Sequence, residues 1–187
     1  KLGELLAKTH LKLAPLADHL RRQPPLSQQV KSWHQDLLGS SEAARLAPLY
    51  AFFQARFGQI DAEYASLPQA VLHGDYSWRN LKRRGDEWAV IDFERLVVDI
   101  PWRELAKLWL REVKQPEERQ AFLAGYRKIL PLQEPSSLLD ACLSFQLAQG
   151  IYRYVLKVDD REFRQMADGV IEDVKAWCVT QGLDMSN

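Results

Sequence analysis

The helical period that organises most of this chain breaks down once, between Val71 and Glu94. Within that stretch two short runs, residues 81–84 and 88–91, flank Gly85-Asp86, and short runs joined by a glycine-containing turn read as a β-hairpin. It is the one convincing β signal, preceded by the short apolar pair Val71-Leu72. The fold class expected is mostly α with a single small hairpin, so whatever chemistry the hairpin carries is held between helical flanks.

Apolar spacing marks the helices. Leu2, Leu5, Leu6, Leu13 and Leu16 fit an opening helix with no capping residue ahead of it, and Pro24-Pro25 stops its continuation. Leu46, Leu49, Tyr50, Phe53 and Phe57 fit a helix from about residue 41, capped by Ser40 or Ser41 and ended at Gly58. Beyond Pro101, Leu105, Leu108, Trp109 and Val113 suit one helix, and Phe122, Tyr126 and Ile129 another. A long helix from Ser136 or Ser137 is apolar on several faces and is expected to be central. The last helix carries Phe163, Met166, Ala167, Val170, Ile171, Val174, Trp177 and Cys178, with Asp159 and Glu162 spaced as a capping box.

Composition removes several function classes. Lys plus Arg total 25 and Asp plus Glu total 25, so the formal net charge is zero. No basic field draws the chain to nucleic acid or to an anionic membrane, and neither partner is expected. No apolar run reaches the ~18 residues of a membrane span. Cys142 and Cys178 match no metal-binding spacing and read as reduced core thiols of a cytoplasmic protein. At 187 residues the whole chain reads as one domain, 1–187.

The chemistry gathers around the hairpin. His73, Gly74 and Asp75 lie on the loop between residues 71–72 and the hairpin, and Asn80 follows. The hairpin's second strand, taken as 88–94, ends in Ile91-Asp92-Phe93-Glu94. Two carboxylates and an amide separated by a hairpin can converge on one point. Oxygen donors so placed suit a hard cation such as Mg²⁺, which takes one or two carboxylates together with phosphate oxygens. Asp75 is left to accept a proton or orient a hydroxyl.

The pattern His73-Gly-Asp75 with Asn80, then Ile91-Asp92-Phe-Glu94, resembles the aminoglycoside phosphotransferase and choline kinase family, whose fold is shared with protein kinases. The opening Leu-Gly-Glu-Leu-Leu-Ala-Lys-Thr-His10 looks like the helix after that family's lobe linker. Residues 99–106 look like its Gly-Asp-Pro…Asp-Leu-Ala segment. The resemblance implies an ATP-dependent kinase that moves the γ-phosphoryl group to a hydroxyl of a small alcohol or amino-alcohol. It implies catalytic Asp75 and Arg79, and Asn80 and Asp92 holding Mg²⁺ and with it ATP. His73 would tie the catalytic loop, residues 73–80, to the metal-binding strand, with Glu94 and Asp99 as further structural support.

Three departures stand out. Arg79 occupies a place where the family often has a small residue, and it either neutralises charge near the γ-phosphate or is a solvated loop arginine. Trp78 is expected to pack under the loop, with lining of the substrate side as the alternative. Glu104 replaces the usual aspartate of the Asp-Leu-Ala segment, which leaves its supporting role open. Kinases also need a Gly-rich cover over the phosphates, and the nine glycines here nowhere cluster into one. The chain therefore reads as the helical C-terminal lobe of a kinase-like α+β fold without its N-terminal β lobe, and as inactive by itself.

Other residues have blander readings. His10, His19 and His34 are expected on the surface or on helix faces. The acidic residues Asp159, Asp160, Glu162, Asp168, Glu172 and Asp173 read as a solvated helix face, or alternatively as a rim for a cationic substrate. Tyr126, Phe145, Tyr152 and Tyr154 are expected in the core. The competing functional reading is a non-catalytic helical binding module or pseudokinase-like remnant. Metal-dependent nucleotide binding that vanishes on Asp92→Ala separates the two.

Overall fold

The structure is a computed structural model and describes residues 1–183. Along the chain the elements are α1 (Leu2–Leu13), α2 (Leu26–Leu37), α3 (Ser41–Gln54), α4 (Phe57–Ser66), β1 (Ala70–Leu72), β2 (Leu81–Arg84), β3 (Glu87–Val90), β4 (Val97–Asp99), α5 (Pro101–Arg111), α6 (Pro116–Arg127), α7 (Ser137–Val155) and α8 (Arg161–Thr180). They form two compact units, Lys1–Gln23 with Leu67–Glu134 and Pro24–Ser66 with Pro135–Asn187.

The first unit holds all four strands. The expected hairpin is β2–β3, paired antiparallel from Leu81↔Val90 to Arg84↔Glu87, with Gly85 turning at φ +58°. A second pairing was not legible: β1 runs antiparallel to β4, with Val71 opposite Val98. Three-residue strands carry too little alternation to register as a period. The second hairpin strand ends at Val90, so residues 91–94 are loop and not strand. The cause is local, because Asp92 takes a left-handed φ of +67° that strand geometry excludes.

Helices α1 and α6 of this unit touch backbone to backbone. A Cβ on Gly3 would lie 2.0 Å from the Phe122 carbonyl oxygen, and one on Gly125 would lie 3.4 Å from the Glu4 nitrogen. Only glycine at Gly3 allows that approach, and it brings Tyr126 up to α1. Helix α1 ends at Leu13, short of the expected Leu16, because Pro15 converts the chain to a 3₁₀ turn over Ala14–His19. Pro101 and Pro116 open α5 and α6, where a missing N–H costs least.

The described elements of the second unit are all helices. Helix α7 packs against α2, α4 and α8, and its buried residues include Leu139, Phe145, Gln149 and Tyr152. Ser40, Ser136 and Asp160 cap α3, α7 and α8 by accepting from Ala43, Leu139 and Phe163 N–H groups. The cap of α8 is thus Asp160 and not Asp159. Two helices, α2 and α4, escaped the sequence reading. Polar residues dilute the stripe of α2, of which Leu26, Val30 and Leu37 are buried. Gly58 looked like a stop but sits in the first turn of α4. Among the described residues no helix is long and apolar enough to cross a membrane.

Candidate active site

Everything singled out around the hairpin falls in the first unit. The chain leaves β1 into the loop of His73, Gly74 and Asp75, makes a 3₁₀ turn over Trp78–Asn80, and enters β2. Gly74 is obligatory here. Its φ is +82°, and a Cβ would lie 2.1 Å from the Arg95 carbonyl oxygen. The loop of Asp75 and the loop of Asp92 are therefore in backbone contact.

His73 joins the same two loops through its side chain. It is fully buried, its Nδ1 accepts from the Asp75 N–H at 3.3 Å, and its Nε2 lies 2.9 Å from the Ile91 carbonyl oxygen. That pair of bonds assigns the ring proton to Nε2, which donates to Ile91, the residue before Asp92. The Ile91 N–H in turn donates to the Asn80 carbonyl at 2.9 Å.

The loop's backbone hangs on Glu104 of α5. One carboxylate oxygen accepts from Gly74 N–H at 2.6 Å, and the other accepts from His73 N–H at 3.1 Å and from His10 Nε2 at 2.9 Å. Glu104 is fully buried, and burial alone would push its carboxyl up. The hydrogen bond from His10, with the Gly74 N–H and the Lys107 charge, more than offsets burial and holds it below the ordinary glutamate value. Lys107 Nζ donates to the Gly74 carbonyl at 3.3 Å. Burial and then the Arg103 charge lower its pKa.

Asp75 is the centre of a charged cluster. It is 9% exposed, and Arg79 donates to its Oδ2. The hydrogen bond and the Asp75 charge raise Arg79 above its ordinary value despite exposure, with Asp92 and Glu112 adding to it. Four charged groups thus share one neighbourhood. Asn80 is buried, and its Nδ2 donates to the Asp75 carbonyl at 2.8 Å, which fixes the amide. Asp92 is exposed, at the positive φ noted above. Strained backbone of this kind persists where surrounding structure over-determines it, and it clusters at functional sites.

Sequence-based site residues fare unequally. His73, Asp75, Arg79 and Asn80 come together in one bonded loop, with Asp92 on the loop yoked to it. Asp99 is buried at the end of β4, accepting from Ile100 N–H at 2.7 Å and pairing with Arg103 at 3.2 Å. Glu94 is exposed in the turn after Asp92 and enters none of these hydrogen bonds. Trp78 does not pack under the loop, because the 3₁₀ turn aims it outward, 44% exposed. It lines a cavity of about 360 Å³ with Glu112, Val113, Glu118 and Phe122. A larger cavity of about 590 Å³ lies between α1 and β3, lined by Lys8, Lys12, Trp88 and Phe93.

His10 is not a surface histidine; it is 1% exposed. Tyr126, Phe145 and Tyr152 are buried as expected, whereas Tyr154 is 44% exposed. In the second unit the acidic residues of α8 are partly engaged. Asp160 is the cap, Asp168 accepts from Arg45 and Tyr152 at 2.7 Å each, and Glu172 pairs with Lys175 at 2.8 Å. Cys142 and Cys178 are buried and are not joined in a disulfide.

Residues 1–138 match the model of the phosphotransferase enzyme family. No curated protein matches the chain. Among solved structures it is similar to a choline/ethanolamine kinase family protein from Mesorhizobium loti, with a TM-score of 0.64, 15% identity, and coverage of 93% of this chain and 60% of that one. It is similar also to a macrolide 2′-phosphotransferase from Brachybacterium faecium, with a TM-score of 0.55, 18% identity and coverage of 90% and 57%. A third likeness is to a spectinomycin phosphotransferase solved with ADP and spectinomycin, with a TM-score of 0.51, 15% identity and coverage of 93% and 58%. The chain thus spans 57–60% of the length of these structures. The fold they share with it is the helical lobe of a kinase-like phosphotransferase.

Proposed function

The chain belongs to the phosphotransferase enzyme family, and from that premise we propose that it serves an ATP-dependent transfer of the γ-phosphoryl group to a hydroxyl of a small molecule. The observation that carries the reading is the bond from His73 Nε2 to the Ile91 carbonyl. It yokes the loop of Asp75 and Asn80 to the loop of Asp92, so a base and two oxygen donors for a cation belong to one rigid piece.

Each residue then has a chemical task. Arg79 holds Oδ2 of Asp75, and Oδ1 is left to face the acceptor hydroxyl. Asp75 takes the hydroxyl proton as the acceptor oxygen bonds to the γ-phosphorus and the bond to the β-phosphate oxygen breaks, releasing ADP. Asn80 and Asp92 would hold Mg²⁺ through an amide oxygen and a carboxylate, donor types that suit this cation, and the Asp92 carboxylate is exposed. Bound there with ATP, Mg²⁺ supplies neutralisation of charge on the phosphate oxygens. Arg79 adds a fixed positive charge beside the same point. Its hydrogen bond to Asp75 favours this role over that of a solvated loop arginine.

The acceptor's place is the cavity at Trp78. Glu112 lines both that cavity and the small crevice at Asp75. An aromatic face with Glu112 and Glu118 suits a small alcohol, best one carrying an amine. The names of the solved relatives support a small-molecule acceptor. Two buried cysteines not joined in a disulfide suit a reducing compartment, and we place the protein in the cytoplasm.

The test is Mg²⁺-dependent ADP release by the full-length protein against a panel of hydroxyl-bearing amines, sugars and antibiotics. Asp75→Ala is expected to lower turnover by at least about 10²-fold, and Asp92→Ala to remove Mg²⁺-dependent nucleotide binding. A protein that neither binds nucleotide nor turns over any acceptor is a helical binding module instead.

A further inference from the structure

One buried polar cluster of the first unit is not itself used by the phosphotransfer chemistry. His10 of α1, Glu104 of α5 and Tyr126 of α6 are all within 2% of complete burial. His10 Nε2 lies 2.9 Å from Glu104 Oε2, and His10 Nδ1 lies 2.8 Å from the Tyr126 hydroxyl. The carboxylate is acceptor-only, so Nε2 carries the ring proton and donates to Glu104. Nδ1 is then the acceptor, and Tyr126 O–H donates to it. Burial, with the nearby Glu104 charge, raises the Tyr126 pKa and keeps that proton in place. The three side chains form one directed chain of hydrogen bonds ending on the carboxylate that grips His73 N–H and Gly74 N–H.

From this geometry we infer that His10 is a positioning residue for the proposed reaction, acting through Glu104 on the catalytic loop. The inference rests on the functional reading above, in that the loop positioned is the one carrying Asp75. A glutamate side chain has more rotamers than its three bonds to Oε1 and Oε2 specify. The two loop amides fix where its oxygens end. His10 fixes which oxygen faces α1, and hence the plane of the carboxylate. The imidazole is itself held from behind: the Gly3–Gly125 approach sets the distance between α1 and α6, and Tyr126 fills it edge-on to His10 with ring centroids 5.7 Å apart. A second tie, from the Tyr76 hydroxyl to the Leu2 carbonyl at 3.1 Å, joins the same loop to the same helix. Helix α1 therefore sets the position of Asp75 from a residue that touches neither nucleotide nor acceptor.

The experiment compares wild type, His10→Phe, His10→Gln and Tyr126→Phe in the full-length protein. Two readouts are taken: hydrogen exchange of the His73 and Gly74 amides, and steady-state kinetics of phosphotransfer. Gln places an amide N–H near where Nε2 lies, so His10→Gln keeps the donor to Glu104, and Phe keeps the ring's bulk and removes it. His10→Phe is expected to speed exchange at His73 and Gly74 selectively. It is also expected to lower kcat on the order of 10²-fold, the penalty of a misplacement near 1 Å, with the KM for ATP within about 2-fold of wild type, since no group on the nucleotide is removed. His10→Gln is expected to restore most of both, and Tyr126→Phe to give a smaller loss of the same kind. A His10→Phe protein that folds with unchanged kcat and unchanged His73 and Gly74 exchange overturns the inference. So does one whose losses His10→Gln fails to rescue. If His10→Phe does not fold, Tyr126→Phe and His10→Gln decide: wild-type exchange in Tyr126→Phe, or fast exchange in His10→Gln, overturns it equally. If the wild-type protein transfers no phosphoryl group, the functional reading fails, and the exchange data still report whether His10 holds the loop.

Discussion

Gly74→Ala isolates what the contact between the two site loops is worth. Two effects add. At φ +82° an alanine enters left-handed space, which costs an L-residue roughly 1–2 kcal/mol. Its Cβ would also stand 2.1 Å from the Arg95 carbonyl oxygen and 3.0 Å from the Arg95 carbonyl carbon, and this is backbone that cannot swing away as a side chain can. Forcing extra volume against packed backbone costs about 1–3 kcal/mol, giving a total of roughly 2–5 kcal/mol. Gly85→Ala is the matched control in the same unit, with φ +58° and nothing within 4 Å of its added Cβ, so it carries the conformational cost alone. Urea unfolding of both variants gives the difference directly, provided the slope is unchanged. The steric part also has a spectroscopic consequence. Arg95 lies three residues beyond Asp92, so Gly74→Ala should shift the amide resonances of residues 91–95 and Gly85→Ala should leave them in place. If Gly74→Ala costs no more than Gly85→Ala and those resonances stay put, the loops do not touch as described.

Two further outcomes follow from the buried polar groups. Glu104 is held below its ordinary value of 4.5 in the folded state, so the stability it contributes is fully present above that value and lost as pH falls through the folded-state pKa. Acid unfolding of Glu104→Gln should therefore start from a lower stability at pH 7 and show a shallower decline below pH 4.5 than wild type; parallel curves would refute the assignment. In the second unit both amide atoms of Gln149 are buried and find no partner among the described residues. Gln149→Met keeps the volume and removes the unsatisfied groups, so it should stabilise by about 1–3 kcal/mol in urea unfolding, and a loss of stability would show that the amide is satisfied.

What the sequence discloses here depends on the separation of the partners. Asp75, Asn80 and Asp92 were legible because a hairpin links them along the chain. The chain's own turn chemistry, with Gly85 at its tip, brings the loops together. The caps of α3 and α7 were legible for the same reason, being bonds from Ser40 and Ser136 to an N–H three residues on. The pairing of β1 with β4 spans more chain and uses only three residues a side, and it was missed.

The grip of Glu104 on the catalytic loop is hidden in the sequence for a different reason. The leucines of helix α1 place its buried stripe along Leu2, Leu5, Leu6, Leu13 and Leu16. The residues actually buried are Gly3, Leu6, Ala7, Thr9 and His10, and Leu16 is 41% exposed. Gly3, Leu6, Ala7 and His10 are spaced as well at 3.6 as the leucines are. What distinguishes the two stripes is side-chain size and not hydropathy. Close approach of α6 selects the face with small residues, and that choice carries His10 inward with them. On α5 the same logic applies to Glu104, which lies between Trp102 and Leu105 on a face the chain must bury. A charged residue in such a place requires a donor set. His10 lies 94 residues away along the chain, and only the packing of the folded first unit brings it there.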